Sequence, residues 1–307
     1  MSASERKGES HMKNDQTTYL RAVRRKLYIR KGVNLLAAIA ICAFALLMIT
    51  PFIWMISASF KQQRDVMSVP IDWIPDYWYP DNYMRVLNIG ETSATNYHFL
   101  LAYWNSLKIA VINTIVAVTT AAMAGYAFAK LKFRGSTFLF LIFLSQMMIP
   151  SQLTLIPRFV IFTELGLNKT HLPIILPKLI AVSAVFMMRQ SFLGVPDDLR
   201  ESAQIDGAGE YRIWLQIMLP IVTPTLGALA TVQFLDSWNA YLDPLVFLSN
   251  WRLRTLPLAL NQFVSEEGTQ YNLTMAACCL SVVPVFIVFL AGQKFFIKGL
   301  VTGSVKG

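Results

Sequence analysis

The sequence predicts an all-α, polytopic membrane protein, and three observations carry that prediction. Hydrophobic residues make up 55% of the chain and charged residues only 15%, where ordinary soluble domains carry roughly a quarter charged residues. Apolar runs recur at about the 20 residues needed to cross a hydrocarbon core about 30 Å thick. The Lys and Arg residues collect in a few short connections instead of spreading along the chain. A mean hydropathy of +0.47 agrees with lipid as the solvent.

Six spans are expected, over about 33–58, 104–129, 136–157, 171–193, 219–248 and 272–294. Each must be helical, because lipid offers no partner for an open backbone N–H or C=O. Pro51, Pro150, Pro173, Pro177, Pro244 and Pro284 fall in or beside these runs. In a bundle the carbonyls they free can be met by neighbouring helices or water, so they read as kinks and not as breaks. The organisation is then a segment 1–32, one membrane domain over 33–294, and a tail 295–307. The first eleven residues are polar and make no signal peptide. Met12 offers a second start, which would make 1–11 an added leader.

Charge gives the orientation, since cytoplasmic connections of membrane proteins carry the excess of Lys and Arg. Arg21, Arg24, Arg25, Lys26, Arg30 and Lys31 precede the first span. Lys130, Lys132 and Arg134 join the second to the third, and Lys294, Lys298 and Lys306 follow the last. Both termini are therefore expected to be cytoplasmic. The 59–103 connection falls outside, where Trp73, Tyr77, Trp78, Tyr79 and Tyr83 suit an interfacial or docked surface. On this reading the +9 net charge is a topology signal and not a sign of nucleic-acid binding.

Several chemistries have no motif here. There is no Gly-Lys dipeptide, hence no phosphate-cradling loop ending in Gly-Lys-Ser/Thr. None of His11, His98 and His171 precedes a Glu, so the two-His zinc helix is missing, as is a Gly-x-Ser-x-Gly elbow. Cys42, Cys278 and Cys279 lie in spans without metal-ligand spacing and read as small apolar side chains. No catalytic residue and no metal site is expected. If the protein uses ATP, a partner must bind it.

The most informative stretch is polar and lies between two membrane-length runs: ESAQIDGAGEYRIWLQIMLP, residues 201–220. Pro196, Asp197 and Asp198 carry helix-start chemistry, and a short helix from about Asp198 keeps Asp197 and Glu201 at its favourable N-terminal end. Gly207 and Gly209 are expected to turn the chain. A second short helix, 210–218, places Ile213, Trp214 and Ile217 on one apolar face, and Leu219-Pro220 opens the next span. A helix-turn-helix with small residues at Ser202, Ala203 and Ala208 can seat in a groove of another protein. The competing reading is a solvated loop with incidental charges.

A second candidate lies inside the membrane, where ionisable groups are costly and point to function. On the fifth span Asp236, Asn239 and Asp243 fall within about 60° of one another at 100° per residue, with Gln233 a turn below and Trp238 and Tyr241 beside them. Carboxylates and amides bind sugar hydroxyls, and aromatic faces stack on sugar rings. The competing reading pairs Asp236 with a bundle cation such as Lys108, Lys178 or Arg189 and leaves Asp243 at the outer interface. Asn113, Gln146 and Gln152 are weaker candidates, since a lone amide in a span more often joins helices.

Residues 201–220 resemble the EAA loop of inner-membrane permease subunits in bacterial ABC importers. The family pattern is Glu-Ala-Ala, three residues, Gly, nine residues, Ile, one residue, Leu-Pro. The chain supplies Glu201, Ser202, Ala203, Gly207, Ile217, Leu219 and Pro220, and Asp206-Gly207-Ala208 matches too. Ser202 stands where the family has Ala. MMIPSQLTLIPR at 147–158, WNAYLDPLVFL at 238–248, TLPLAL at 255–260 and the ending at 293–307 resemble the carbohydrate, MalG-type branch.

The resemblance implies a sugar-importing permease with no cofactor of its own, and with ATP and Mg held by a partner. The implied complex has a second homologous permease subunit, two copies of a nucleotide-binding ATPase and an extracytoplasmic solute-binding protein. That last protein would dock on the 59–103 and 249–271 loops. The first short helix becomes a coupling helix, with Glu201 pairing to a basic group of the ATPase and Gly207 making the turn. Residues 299–307 would also reach the ATPase dimer, and the other permease would hold most of the sugar. The setting implied is the bacterial inner membrane. An ion-coupled secondary transporter is the alternative: it explains the intramembrane Asp residues and leaves the 201–220 pattern unexplained. The sugar's charge stays open: the acidic stripe argues for a neutral oligosaccharide, while Lys108, Arg158, Lys178, Arg252 and Arg254 could serve an acidic one.

Overall fold

The computed structural model describes the backbone over residues 3–87, 98–265 and 268–304, and the side chains over 31–87, 98–261, 263 and 270–295. The chain divides into two units, 1–57 and 58–307. The first is formed by the helix α1 (Ala3–Ser59), whose stretch from Lys31 is apolar on every side and keeps Pro51 within the helix.

The second unit begins with α2 (Asp81–Leu87) and α3 (Phe99–Lys130), followed by α4 (Ser136–Ser145), α5 (Leu155–Glu164), α6 (Leu172–Ile175) and α7 (Val182–Leu193). Two short helices come next, α8 (Asp198–Ile205) and α9 (Glu210–Ile213), then α10 (Leu219–Ile221), α11 (Thr223–Trp238), α12 (Leu242–Phe247), α13 (Leu256–Leu260) and α14 (Tyr271–Ser304). A two-residue-per-strand antiparallel ladder pairs Val264 with Thr269 and Ser265 with Gly268, and is a small exception to the all-helical expectation.

Among the described residues four helical stretches are long and apolar enough to cross a membrane: 31–59, 99–130, 172–193 and 271–295. A fifth is the pair 210–221 and 223–238, bent by 81°. The expected third span, 136–157, is not one helix. It ends in a 3₁₀ turn at Met148, Ile149 is extended (φ −90°, ψ 113°), and helix resumes at Leu155. Pro150 is the cause, because the residue before a proline is pushed out of helical conformation. Pro177 likewise lies in a 3₁₀ stretch before α7. Pro150 therefore breaks its span, while Pro177 stays within the 172–193 stretch and Pro51 and Pro284 stay inside helices. The sharp bend follows Pro220 by two residues. Pro224 has no N–H to give the Pro220 carbonyl, and the Thr223 hydroxyl meets it instead at 2.8 Å.

Small residues set the core. Ala110, Ala117, Ala121 and Gly125 share one face of α3 and let α7 and α11 approach closely. A Cβ on Gly125 would lie 2.7 Å from the Met188 Cβ. At this end of α3, Ala121, Ala122, Tyr126, Val185, Met188, Phe192, Ile213, Trp214 and Met218 form one cluster. At the other end, Phe99 and Ala110 pack with Phe234, Trp238, Leu273 and Ala277. Beyond them, Asn82 donates to the carbonyls of Ser59 and Lys61 and accepts from Asn272. Trp73, Tyr77 and Trp78 are exposed. Tyr83 instead turns inward to the Ser59 hydroxyl, 2.8 Å away.

Candidate functional site

Two places collect the predicted residues. The first is the helix-turn-helix at 197–218. α8 starts at Asp198 and closes at Gly207, whose φ of +80° only glycine adopts cheaply. Gly207 N–H donates to the Gln204 carbonyl (3.0 Å) and Ala208 N–H to that of Ala203 (2.9 Å), the paired bonds that satisfy the last carbonyls of a helix. Gly209 does not turn the chain: its φ is −71°. The second short helix runs as α9 and then widens into a π-helical turn, Trp214–Met218. Ile213, Trp214 and Met218 are buried in the core and Ile217 lies at its edge, so the predicted apolar face is the inward one.

Both short helices of this element are tied to α3 at their starts. Lys130, with 3% of its side chain exposed, donates to the Val195 carbonyl (2.6 Å) and to Asp197 (2.5 Å). The Lys130 ammonium holds the Asp197 carboxyl below its ordinary range. One turn earlier on α3, the Tyr126 hydroxyl donates to Glu210 at 2.7 Å. The same carboxylate takes the Arg200 guanidinium and the Gln204 amide, the latter at 2.8 Å. Charge-assisted bonds of this kind are stronger than neutral ones, so the two helices and the end of α3 hold together. Arg200, in the first turn of α8, serves this cluster.

The motif residues then sort by face. Ala203 is buried and Ala208 packs beside it, so these two fill the core and are not presented outward. Asp198, Glu201, Ser202 and Ile205, spaced three and four apart, form the outer face. Ile205 is 87% exposed, an apolar side chain at the tip of a polar helix. Asp206 is exposed as well, and Leu219 and Pro220 lie where the chain re-enters the bundle. Ile205, Tyr126 and Glu210 were not singled out by sequence, and Lys130 only as a topology signal. A Tyr and a Lys one turn apart at the end of a span were the available signal.

The second place is an open cavity of about 670 Å³ lined by Asp236, Asn239, Tyr241 and Asp243, with Asn113, Gln152 and Lys178 opposite. The predicted helical stripe is interrupted, since α11 stops at Trp238 and α12 starts at Leu242. The break still leaves these four side chains on one cavity. Trp238 is turned away: it is 2% exposed, its indole N–H donates to the Ser281 carbonyl (3.2 Å), and its ring stacks on Phe234.

Asp236 pairs with Lys178, the competing sequence reading for that residue. Asp243 takes both terminal nitrogens of Arg158, at 3.0 and 3.2 Å, a partner the sequence reading did not name for it. Gln146 lines a neighbouring hollow of about 400 Å³ with Arg158. Arg252 lies over the Trp251 ring and Arg254 lines a separate hollow. Side chains of residues 299–307, expected to reach an ATPase, fall outside the described set.

Residues 117–301, which include the 197–218 element and the cavity lining except Asn113, match the family model for the binding-protein-dependent transport system inner membrane component. The chain belongs to this family. It is 35% identical over 278 residues to the arabinooligosaccharides transport system permease protein AraQ of Halalkalibacterium halodurans, covering 89% of this chain and 96% of the relative. It is 30% identical over 277 residues to the sn-glycerol-3-phosphate transport system permease protein UgpE of Yersinia enterocolitica, covering 89% and 97%. Its fold is similar to a chain of a bacterial ABC transporter involved in the import of the acidic polysaccharide alginate. The TM-score there is 0.76 at 22% identity, over 87% of this chain and 97% of the other. The ion-coupled alternative has no support. The family is one of transport-system membrane components.

Proposed function

We propose that this chain is the membrane subunit of an ATP-driven importer, lining one half of the path for a sugar or oligosaccharide and driven through its 197–218 element. The observation that carries the coupling role is the double tie to α3, through Lys130–Asp197 and Tyr126–Glu210, with Glu201, Ser202, Ile205 and Asp206 left facing outward. A helix that is to move a membrane domain must be rigidly joined to it, and this one is. ATP and Mg belong to the partner ATPase, two copies of which would close on ATP and carry the seated helices with them. Coupling needs contacts that differ between the open and closed complex.

A second, homologous permease would close the open side of the cavity, and a solute-binding protein would dock on the loops at 59–103 and 249–271. The proposed setting is the bacterial inner membrane with six crossings and both termini cytoplasmic. The broken stretch 136–164 then supplies the third crossing. Lys130, Lys132 and Arg134 lie at the same end of the molecule as the 197–218 element, which suits one cytoplasmic face for both. Alternating access moves the cargo, with no covalent step. ATPase activity of the co-expressed complex in proteoliposomes, with binding protein and a sugar panel, tests the reading. Stimulation by a sugar is the expected result. Failure of any ATPase to co-purify would overturn it.

A further inference from the structure

The wall of the cavity sorts its charges. Lys178 faces it with Asp236 engaged, and Arg158, from the adjoining hollow, holds Asp243 through both terminal nitrogens. Two cations and two carboxylates leave no net charge. Arg252 is committed to Trp251, and Arg254 lines a different hollow. Lys178 and Arg158 are each paired with a carboxylate, and the Arg158 Nε is buried without a partner.

The same wall keeps unused hydrogen-bonding capacity. Asn113 is 1% exposed and lines the cavity. Its amide N–H donates to the Ser237 hydroxyl at 2.9 Å, while its carbonyl oxygen is buried with no partner. A buried polar atom in that state is uncommon and calls for a ligand, water or ion. A carboxylate has about four acceptor sites, so the exposed sides of Asp236 and Asp243 can still take hydroxyl hydrogens.

We propose that the cargo of this cavity is an uncharged oligosaccharide, read by Asn113, Asp236 and Asp243, and that the two ion pairs exclude acidic sugars. The proposal rests on the sugar-importer reading above and specifies its substrate class. A sugar hydroxyl brings a donor for the orphaned Asn113 oxygen and for both carboxylates. A uronate brings a third negative charge beside Asp236 and Asp243, where two cations already balance two carboxylates. A further negative charge beside two carboxylates is disfavoured by like-charge repulsion.

The test reads the cavity directly, without the binding protein that filters sugars first. In the complete complex in nanodiscs, Cys42, Cys278 and Cys279 are replaced by Ala and Ser151→Cys, which lines the cavity, becomes the reporter. Its maleimide labelling rate is measured against maltotriose and against trigalacturonic acid at equal concentration. Severalfold slowing by maltotriose alone is expected. Adding Asp236→Asn, which frees Lys178, should make trigalacturonic acid protect as well. Equal or better protection by trigalacturonic acid before that change would overturn the neutral assignment and leave the importer reading intact. Protection by neither, while the unsubstituted complex imports sugar, would remove the cavity as the cargo site. An assembled complex that imports no sugar at all would count against the sugar reading itself.

Discussion

The ammonium of Lys130, at the last turn of α3, lies 2.5 Å from a carboxylate oxygen of Asp197, 67 positions further along the chain. It is buried and Asp197 is exposed, so the contact fixes the start of α8 to the end of a membrane helix. Lys130→Ala should leave the Val195 carbonyl unpaired and free α8 from α3. The expected outcome is an assembled complex whose ATP hydrolysis proceeds while transport falls by about tenfold, a coupling energy in the usual range. Transport per ATP in proteoliposomes checks it. The pH dependence has a definite sign. Lys130 lowers the Asp197 pKa in the folded state, so the contribution is complete above the unfolded carboxylate value of about 4 and disappears as pH falls through the lower folded value. Exchange protection of the 198–205 amides should hold from neutral pH down to pH 5 and weaken only in stronger acid.

Gly207 and Gly209 look equivalent in sequence and are predicted to respond differently. Gly207 has φ +80° and Gly209 has φ −71°, and a Cβ at either would meet nothing within 4 Å. Only backbone conformation separates them. Gly207→Ala should cost about 1–2 kcal/mol in the turn, and Gly207→Asp should uncouple ATP use from uptake. Gly209→Ala should transport normally. Normal uptake in Gly207→Asp at normal membrane levels would remove the turn from the mechanism.

Gly125 is constrained by space. The added methyl of Gly125→Ala would sit 2.7 Å from the Met188 Cβ and 2.9 Å from the Arg189 nitrogen. Overpacking of this kind costs about 1–3 kcal/mol, which should appear as a lower Tm in detergent. Met188→Ala should not rescue it, because the clash is with the Cβ that alanine keeps.

Trp238 and Tyr241 stood together as sugar-stacking candidates, and their surroundings now separate them. Trp238→Phe should lower stability, through the lost bond to the Ser281 carbonyl, and leave the KM for sugar unchanged. Tyr241→Ala, on the cavity wall, should raise the KM. A changed sugar preference in Trp238→Phe would contradict the packing.

Sequence alone determined the class of the molecule, its membrane-length runs and the 201–220 element with its turn at Gly207. Each is a local property: hydropathy summed over a window, the charge of a short connection, the φ that a single residue tolerates. Tertiary structure decided what those elements meet. Glu210 gathers Arg200, Gln204 and Tyr126, and Lys130 gathers Val195 and Asp197, through contacts across up to 84 positions that no spacing rule encodes. It decided that Pro150 follows the end of a helix while Pro284 stays inside one. It also turned Trp238 into the core and left Asn239 and Tyr241 on the cavity, since the helix that would have carried them on one stripe stops between them. Burial and partner choice come from helices meeting in space, and the order of residues along one helix does not contain them.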